Sequence, residues 1–318
     1  MSEVSARDTI NEADLRERLR AAMSTVNGIL LGKERQVELA FSCLLARGHL
    51  LIEDLPGVGK TTLAHALATV IGAQYQRIQF TSDLLPADIL GVSIYRRDRE
   101  EFEFHPGPIF AELILADEVN RATPKSQSAL LEAMAEGQVT IESQTHTLPD
   151  PFFVIATQNP LDLVGTFPLP DSQLDRFLLS ISLGFPEPEV ERELLTARDR
   201  AQVLGETEAE LGPEDVRALQ QRCARLHASD ALLDYVQALL AESRNSRWFE
   251  VGLSPRAGIA LLQCGKSLAY VKGRDFATPE DIKTVFPALT RHRMNVPHGM
   301  EITIEEQIQS LLDQVAIP

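Results

Sequence analysis

One short segment constrains this chain more than any other, because an apolar run leads through a glycine-containing loop straight into a helical pattern. The apolar run is Gly48–Glu53, and the loop after it carries Gly57, Gly59, Lys60 and Thr61. Glycines allow backbone N–H groups to approach a phosphate closely, while the start of a helix and one ammonium group supply positive charge. The segment therefore predicts a strand, a loop and a helix that together hold the phosphates of a nucleotide.

The residues of this loop have separate expected roles. Lys60 would contact the β- and γ-phosphates, and the Thr61 hydroxyl would bind Mg²⁺. The pattern typical of such loops has glycine at position 54, where this chain has Asp54, so a carboxylate stands at the entrance of the loop. A glycine-rich turn that binds nothing is the alternative, and the position between a strand and a helix argues against it. The predicted phosphate-binding residues are Pro56, Gly57, Val58, Gly59, Lys60, Thr61 and Thr62.

A second apolar run, Glu112–Asp117, ends in two neighbouring carboxylates, Asp117 and Glu118. A buried strand of this kind can deliver its first acid to the Mg²⁺ ion and its second to the water that attacks the γ-phosphate. An ordinary solvated turn is the alternative, and it loses ground because a phosphate-binding loop precedes this strand in the same domain. We therefore predict Asp117 as a metal ligand, with Thr61, and Glu118 as the catalytic base.

Three further polar residues are candidates for catalysis. Asn159 follows the apolar run Phe152–Thr157, and its amide can hold the attacking water, although a simple Asn-Pro turn is the alternative. Arg176 precedes the last apolar run, and Arg256 opens a helical segment. Either arginine can neutralise the charge that develops on the transferred phosphoryl group. A surface salt bridge is the alternative for each of them.

The order of apolar runs predicts an α/β fold. Nearly continuous hydrophobic runs separated by segments long enough for helices are typical of a parallel sheet covered on both faces. After residues 184–188, which contain Gly and two Pro residues, the chain becomes charged, rich in Leu and Ala and helical in period. The helices predicted there are Glu189–Val203, Pro213–Leu226, Ala231–Ser246, Pro255–Val271 and Pro279–Thr290. We expect a nucleotide-binding core at 1–186 and an α-helical lid domain at 187–318. The predicted strands are Gly48–Glu53, Gln74–Phe80, Glu112–Asp117, Phe152–Thr157 and Phe177–Leu183.

The overall charge narrows the classes of partner. With 30 Lys and Arg against 46 Asp and Glu, the net charge is −16, which disfavours broad binding of nucleic acid or anionic membranes. No apolar stretch approaches the roughly 18 residues of a membrane span, and residues 1–11 lack the apolar centre of a signal peptide. Cys43, Cys223 and Cys264 are far apart in sequence and suggest neither a disulfide framework nor a zinc site. We expect a cytoplasmic protein.

Taken in order, these motifs resemble those of AAA+ ATPases and, more closely, of the MoxR family. The resemblance runs from about Gly32 to about Arg293. It is carried by dense matches at Gly107–Phe110, Ala116–Ala122, Gln127–Met134, Ala156–Pro160, Gly165–Pro170, Gln173–Phe177 and Ser254–Ala257.

The resemblance implies a P-loop core whose parallel five-stranded sheet has the order 5-1-4-3-2, a helical lid, and a homo-oligomeric ring, usually hexameric, with ATP at the subunit interfaces. It assigns Asn159 to the sensor-1 position and Arg176 to the arginine finger that reaches a neighbour's γ-phosphate. Arg256 corresponds to sensor 2 at the lid, and whether it acts on its own chain or on a neighbour is left open. The first-glycine region of this family is often acidic, which fits Asp54.

Two insertions also follow from the resemblance. Residues from about 90 to 106 alternate like a hairpin and match an insert in the second helix of the core. Residues from about 138 to 150 would form a hairpin before sensor 1. Both are candidate contact sites for a substrate or partner, and ordinary surface hairpins are the alternative.

The implied function is that of a Mg²⁺-dependent, ATP-hydrolysing, chaperone-like motor that remodels or matures protein complexes, with a von Willebrand A domain protein as a possible partner. A magnesium-chelatase-type ATPase subunit is a related alternative, against which Asn120–Ala122 argues. A nucleotide-gated scaffold with negligible turnover is an alternative of another class, and the intact Lys60, Asp117, Glu118 and Arg176 oppose it. The net charge of −16 disfavours a DNA-dependent motor.

Overall fold

The computed structural model describes residues 11–161, 164–196, 200–245, 249, 251–294 and 303–317. The helices are α1 (Glu12–Ile29), α2 (Glu34–Leu45), α3 (Lys60–Val70), α4 (Pro86–Leu90), α5 (Pro124–Glu136), α6 (Asp171–Leu174), α7 (Pro188–Thr196), α8 (Arg200–Glu206), α9 (Pro213–Arg225), α10 (Asp230–Asn245), α11 (Pro255–Val271), α12 (Pro279–Thr290) and α13 (Ile304–Gln314). The strands are β1 (Leu50–Glu53), β2 (Tyr75–Gln79), β3 (Gly91–Arg96), β4 (Glu101–Pro106), β5 (Leu113–Asp117), β6 (Gln138–Ile141), β7 (Gln144–Thr147), β8 (Phe153–Gln158) and β9 (Leu179–Ile181).

The central sheet has five parallel strands in the order β2-β5-β8-β1-β9. Numbered as the core strands occur along the chain, this order is 5-1-4-3-2 read from the β9 edge, so the predicted fold class and strand order are confirmed. The register pairs Gln79 with Asp117 and Glu53 with Gln158. The carboxyl ends of β2, β5, β8 and β1 therefore meet at one edge of the sheet.

The sheet is buried on both faces, and alternate residues of one strand enter different apolar cores. In β5, Leu113 and Leu115 belong to the core that contains α1, α2 and α3, whereas Ile114 and Ala116 belong to the core that contains α5. Strands β1 and β8 alternate in the same way. Burial on both faces explains why these strands read as continuous hydrophobic runs.

The helical part after residue 187 shares an apolar core with the first helices. Buried residues of α9, α11, α12 and α13 cluster with those of α1 and α2. Arg293 ties the end of this part to the sheet, because its guanidinium donates to the Asp175 carboxylate and to the backbone oxygens of Phe177 and Leu178. Packing is continuous across residue 186, and the proposed division into two domains there stays a prediction.

The predicted helix bounds agree closely with the structure in the second half. Helices α11 and α12 have the predicted bounds, α9 ends one residue earlier than predicted, and α10 begins one residue earlier than predicted. The predicted end of α10, Ser246, lies outside the described residues. The helix predicted at Glu189–Val203 corresponds to α7 and α8, and residues 197–199 lie outside the described residues.

Two antiparallel hairpins, β3–β4 and β6–β7, stand outside the central sheet. They occupy the segments where the sequence predicts the two inserts. The hairpins touch each other, because the Phe104 ring of β4 stacks on the His146 ring of β7 with 4.1 Å between ring centroids. The Phe110 ring packs edge-on against both of them.

Among the described residues, no helix combines the length and apolar character needed to cross a membrane. Cys43, Cys223 and Cys264 are free and buried. Burial raises the pKa of the Cys223 thiol to about 12, so this side chain is a neutral packing group at physiological pH.

Candidate functional site: a phosphate-type loop beside paired carboxylates

The glycine loop, residues 54–61, connects the end of β1 to the start of α3. Gly57 and Gly59 have φ values of 86° and 102°, in the left-handed region that glycine adopts without strain. Gly59 is the N-cap of α3, and a Cβ there would come within 3.0 Å of Leu30 Cδ1. The loop therefore places unblocked backbone N–H groups at the positive end of an eleven-residue helix, where an anion is stabilised.

The Lys60 side chain is hydrogen-bonded to the beginning of this loop. Its ammonium donates to the carbonyl oxygens of Asp54, at 2.7 Å, and Leu55, at 2.9 Å. Burial lowers the pKa of Lys60, and the nearby carboxylates of Asp54, Asp117 and Glu118 oppose that shift. A phosphate entering the loop can replace the two carbonyls as the partner of this ammonium group.

A cavity of about 450 Å³, called here the glycine-loop cavity, brings the main predicted residues together. Lys60, Thr61, Asp117 and Glu118 all line it, as the sequence predicts. Arg77 and Gln79 of β2 line it as well, although no motif in the sequence pointed to them. Its lining residues are Pro56, Gly57, Gly59, Lys60, Thr61, Thr62, Arg77, Gln79, Asp117 and Glu118.

Asp117 at the end of β5 is held by two neighbours. The Thr157 hydroxyl donates to Asp117 Oδ1 at 2.6 Å, and Arg77 Nη2 donates to Oδ2 at 2.6 Å. The Thr61 hydroxyl and the Asp117 carboxylate line the same cavity and are hard oxygen donors of the type that Mg²⁺ prefers. The residues present therefore fit a magnesium ion bound between the protein and a nucleotide.

Glu118 is fixed in backbone and in side chain. Its φ of 57° is unusual for a residue other than glycine, and its N–H donates to the Thr157 hydroxyl at 2.9 Å. The carboxylate accepts from Gln79 Nε2 at 3.0 Å and pairs with Arg121 Nε at 3.1 Å. Backbone strain of this kind persists only where the surroundings determine it, and here it turns the carboxylate toward the cavity.

Sequence signals existed for the missed residues. Arg77 and Gln79 alternate with Ile78 along β2, and this strand forms an edge of the sheet. Thr157 is a fully buried hydroxyl that follows the four apolar residues of β8, one residue before the end of the strand. Buried polar groups in such strands are hydrogen-bonded to something specific, which for Thr157 is the pair Asp117 and Glu118.

An apolar pocket of about 410 Å³ adjoins the glycine-loop cavity. The two spaces share Gly57, Gly59 and Thr62, so a ligand can extend from one into the other. Apolar walls beside a phosphate site suit the base of a nucleotide. The apolar pocket is lined by Ile29, Leu30, Leu31, Lys33, Gly57, Val58, Gly59, Thr62, Phe185, Pro186, Glu191, Leu194 and Leu195.

Asn159 lies just beyond the end of β8, and its side-chain oxygen accepts from the Leu161 N–H at 3.2 Å. Asn159 does not belong to the described residues that line the glycine-loop cavity. The structure thus shows the Asn-Pro turn that the sequence offers as the alternative. The role of Asn159 in holding water stays a prediction.

Arg176 and Arg256 lie together, in a different place from the glycine loop. Both line a cavity of about 350 Å³, called here the arginine cavity, with Arg47 and Arg293. Arg176 Nη1 donates to the Leu131 carbonyl. Among the described residues, the arginine cavity and the glycine-loop cavity have no lining residue in common.

The two cavities lie at opposite ends of strand β1. The arginine cavity includes Gly48 and His49, which precede β1, whereas the glycine loop follows β1. A strand of four residues at about 3.3 Å per residue spans about 13 Å. Arg256 therefore lies with Arg176 at the amino end of β1, and the phosphate-type loop of the same chain lies at the other end.

Comparison with known proteins agrees with this geometry. The ATPase family associated with various cellular activities (AAA) matches residues 49–179, and the AAA lid domain matches residues 241–311. The uncharacterized protein YeaC of Bacillus subtilis (strain 168) is 41% identical over 310 residues, covering 96% of this chain and 97% of YeaC. Chaperone MoxR1 of Mycobacterium tuberculosis is 40% identical over 317 residues, covering 94% of this chain and 82% of MoxR1.

A crystal structure of an ATPase candidate from Cytophaga hutchinsonii superposes with a TM-score of 0.86 at 34% sequence identity, covering 96% of each chain. Identity at this level over nearly the whole length, with the same core and lid, establishes the relationship. The chain belongs to the MoxR family of AAA+ ATPases.

Proposed function

We propose that this chain binds ATP and Mg²⁺ in the glycine-loop cavity and hydrolyses ATP as part of a homo-oligomeric ring, in which it drives chaperone-like remodelling of protein partners. The observation that carries the proposal is the convergence of Lys60, Thr61, Asp117 and Glu118 on one cavity that opens into an apolar pocket. The glycine-loop cavity suits the phosphates and the metal ion, and the apolar pocket suits the base.

The residues of the cavity divide the chemistry among them. Backbone N–H groups of the glycine loop and the Lys60 ammonium bind the phosphates, and Thr61 and Asp117 hold the metal ion. Magnesium, when bound, neutralises phosphate charge. Glu118, oriented by Gln79 and Arg121, accepts a proton from the attacking water.

A neighbouring chain supplies the remaining positive charge. The arginine cavity holds Arg47, Arg176, Arg256 and Arg293 with Asp175, and the γ-phosphate of a neighbour's ATP matches its excess of positive charge. Because Arg176 and Arg256 lie at the far end of β1 from their own glycine loop, we propose that both act on the adjacent subunit. A ring, hexameric as in related ATPases, then pairs every loop with an arginine cavity.

The proposed clients are proteins. The relative MoxR1 carries the name chaperone. The β3–β4 hairpin exposes apolar side chains on both faces, Val92 and Ile94 on one and Tyr95 and Phe102 on the other, and these suit contact with apolar segments of another protein. A von Willebrand A domain protein is the partner we propose. The three free thiols suit a reducing cytoplasm as the place of action.

Two substitutions test the ATPase assignment. Lys60→Ala should abolish ATP binding, whereas Glu118→Gln should bind ATP and lose turnover by about 100-fold or more. Binding is measured by calorimetry and turnover by phosphate release, at a protein concentration that allows assembly. Lys272→Ala is the control, because it removes the same charge from an exposed position in the helical part. Equal ATP affinity in Lys60→Ala and the parent would contradict the proposed site.

A nucleotide-gated scaffold is the second candidate function, and a magnesium-chelatase-type subunit is the third. Phosphate release in the parent no faster than in Glu118→Gln would favour the scaffold. The strained, doubly hydrogen-bonded Glu118 favours the ATPase, because a scaffold has no use for a positioned base.

A further inference from the structure

Asp54, which replaces the glycine expected at the entrance of the loop, has a side chain with four hydrogen-bond donors around it. Its Oδ1 accepts from the Leu55 N–H at 2.8 Å. Its Oδ2 accepts from the Ser182 hydroxyl at 2.9 Å, the Leu183 N–H at 2.6 Å and the Gly184 N–H at 2.7 Å. The carboxylate therefore joins the glycine loop to the segment 182–184, which follows β9.

This carboxylate faces away from the phosphate site. Asp54 is 7% exposed. It does not belong to the described residues that line the glycine-loop cavity. Burial by itself raises the pKa of Asp54, but the hydrogen bonds from Gly184, Leu55, Ser182 and Leu183 outweigh burial and hold the pKa below its ordinary value. Asp54 is thus ionised at neutral pH, and its hydrogen bonds are of the stronger, charge-assisted kind.

The anchored segment leads directly into a wall of the apolar pocket. Phe185 and Pro186, the next two residues after Gly184, line that pocket. Phe185 is 71% exposed, so side-chain burial does not hold it in place. Its backbone position depends on the hydrogen bonds of Asp54 just before it and on Lys33 Nζ, which donates to the Phe185 carbonyl at 3.0 Å.

Asp54 is also linked to the phosphate side. Its backbone carbonyl accepts from the Lys60 ammonium, while its carboxylate holds residues 182–184. Asp54 thus links the phosphate-binding loop directly to the segment that leads into the wall of the apolar pocket. A glycine at position 54 would leave that wall without this anchor.

We propose that Asp54 is a positioning residue for the nucleoside part of ATP: its carboxylate holds the 182–186 segment so that the apolar pocket is formed before the nucleotide arrives. This inference rests on the proposed function. A pocket that is already formed binds more tightly, because ligand binding does not have to order its wall. Asp54 therefore strengthens the binding of the base and the ribose and has little effect on the phosphate contacts.

Calorimetric titration of the full chain with ATP and with inorganic triphosphate, each with Mg²⁺, separates these parts. Asp54→Ala should weaken ATP binding by about tenfold, because three hydrogen bonds to the wall are lost, and triphosphate binding by less than about threefold. Asp54→Asn should lie between the parent and Asp54→Ala, since an amide oxygen still accepts but carries no charge.

Two serines of the same strand region provide a matched pair. Ser182→Ala removes one donor to Asp54 and should lower ATP affinity by about threefold without affecting triphosphate. Ser180→Ala removes an equivalent hydrogen bond, from the Ser180 hydroxyl to Glu53 Oε2 at 2.7 Å, and should leave both affinities unchanged. Because each serine variant loses a single hydroxyl, this pair keeps the test valid if Asp54→Ala fails to fold.

Equal losses of ATP and triphosphate affinity in the Asp54 variants, or unchanged ATP affinity in Asp54→Ala, would overturn the inference while the ATP site itself stands. Equal ATP affinities in Ser182→Ala and Ser180→Ala would overturn it as well. A parent chain that binds neither ligand would overturn the proposed function and the inference with it.

Discussion

At the scale of single residues, the charged groups around the glycine loop are already satisfied by the protein itself. Lys60 donates to two loop carbonyls, Arg77 pairs with Asp117, and Glu118 accepts from Gln79. Ligand binding at this site therefore exchanges existing interactions for new ones. The measurable affinity is the difference between the two sets.

This exchange leads to a prediction for Arg77. Its guanidinium donates to the Asp117 oxygen Oδ2 and would therefore compete for that carboxylate with the Mg²⁺ ion of the proposed site. Arg77→Gln should lower the Mg²⁺ concentration needed for half-maximal ATP binding by about threefold to tenfold. A magnesium titration of ATP binding measures it. Arg96→Gln, which breaks the ion pair with Glu103 on the β3–β4 hairpin, is the control and should not move the midpoint.

His49 gives a prediction about pH. The buried ring accepts from the Val154 N–H and bonds the Met134 carbonyl through Nε2, and burial lowers its pKa from 6.5 to about 4. The unfolded chain therefore takes up a proton near pH 6.5 that the folded chain refuses until about pH 4. The His49 contribution to the free energy of unfolding is complete above pH 6.5 and falls by about 3 kcal/mol as the pH drops to about 4.

Denaturant unfolding at several pH values tests this prediction, with His49→Asn as the reference. The asparagine oxygen can still accept from the Val154 N–H but does not titrate. Subtracting the two curves removes the contributions of other groups, among them His292, whose pKa burial also lowers. Parallel curves for parent and variant between pH 4 and 6.5 would contradict the assignment.

At the scale of elements, the two hairpins outside the sheet are coupled by one aromatic contact. Phe104 of β4 stacks on His146 of β7, and such a pair contributes about 0.5–1.5 kcal/mol. Phe104→Ala should therefore increase amide hydrogen exchange in β6–β7 by up to about tenfold, although the substitution lies in the other hairpin.

Phe102→Ala is the matched control for this exchange experiment. The Phe102 ring is 66% exposed and contacts Tyr95 across its own hairpin. Its removal should loosen β3–β4 and leave β6–β7 unchanged. Similar exchange in β6–β7 for both variants would show that the hairpins move independently.

The elements also show how far the sequence alone could lead. The strands of the sheet and helices α11 and α12 were predictable because burial on both faces and helical period are local patterns. The partners of Asp54 were not, because Ser182 lies 128 residues further along the chain. The contact of Arg77 with Asp117 depends on strand order, and the placement of Arg256 depends on how α11 packs. Contacts between segments that are distant in the chain produce no periodic pattern in the sequence.

At the scale of the whole molecule, the separation of Arg176 and Arg256 from the glycine loop leads to a prediction about mixed assemblies. Lys60→Ala chains retain the arginines, and Arg176→Ala chains retain the loop. A random equal mixture should recover about a quarter of the parent's phosphate release, because half of the loops are intact and half of their neighbours carry the arginine. Each variant alone should be inactive. No recovery in confirmed mixed assemblies would contradict action on the neighbour.

A second mixture tests whether Arg256 acts with Arg176. When Arg176→Ala and Arg256→Ala chains are mixed, every loop meets a neighbour that lacks one of the two arginines. We therefore expect no recovery above the separate variants, whereas Arg256→Ala with Lys60→Ala should recover as the first mixture does. Recovery in the mixture of the two arginine variants would place Arg256 on its own chain's site.

In the proposed assembly, the two cavities at opposite ends of β1 make the contact between chains directional, because the loop of one chain faces the arginines of the next. An open row of such chains always has an unused loop at one end and unused arginines at the other, and so has one fewer working site than it has chains. Closing the row into a circle removes both loose ends in a single step. The rate of ATP turnover per chain is therefore higher in a closed ring than in an open row, and opening the ring at any one contact inactivates the site at that contact.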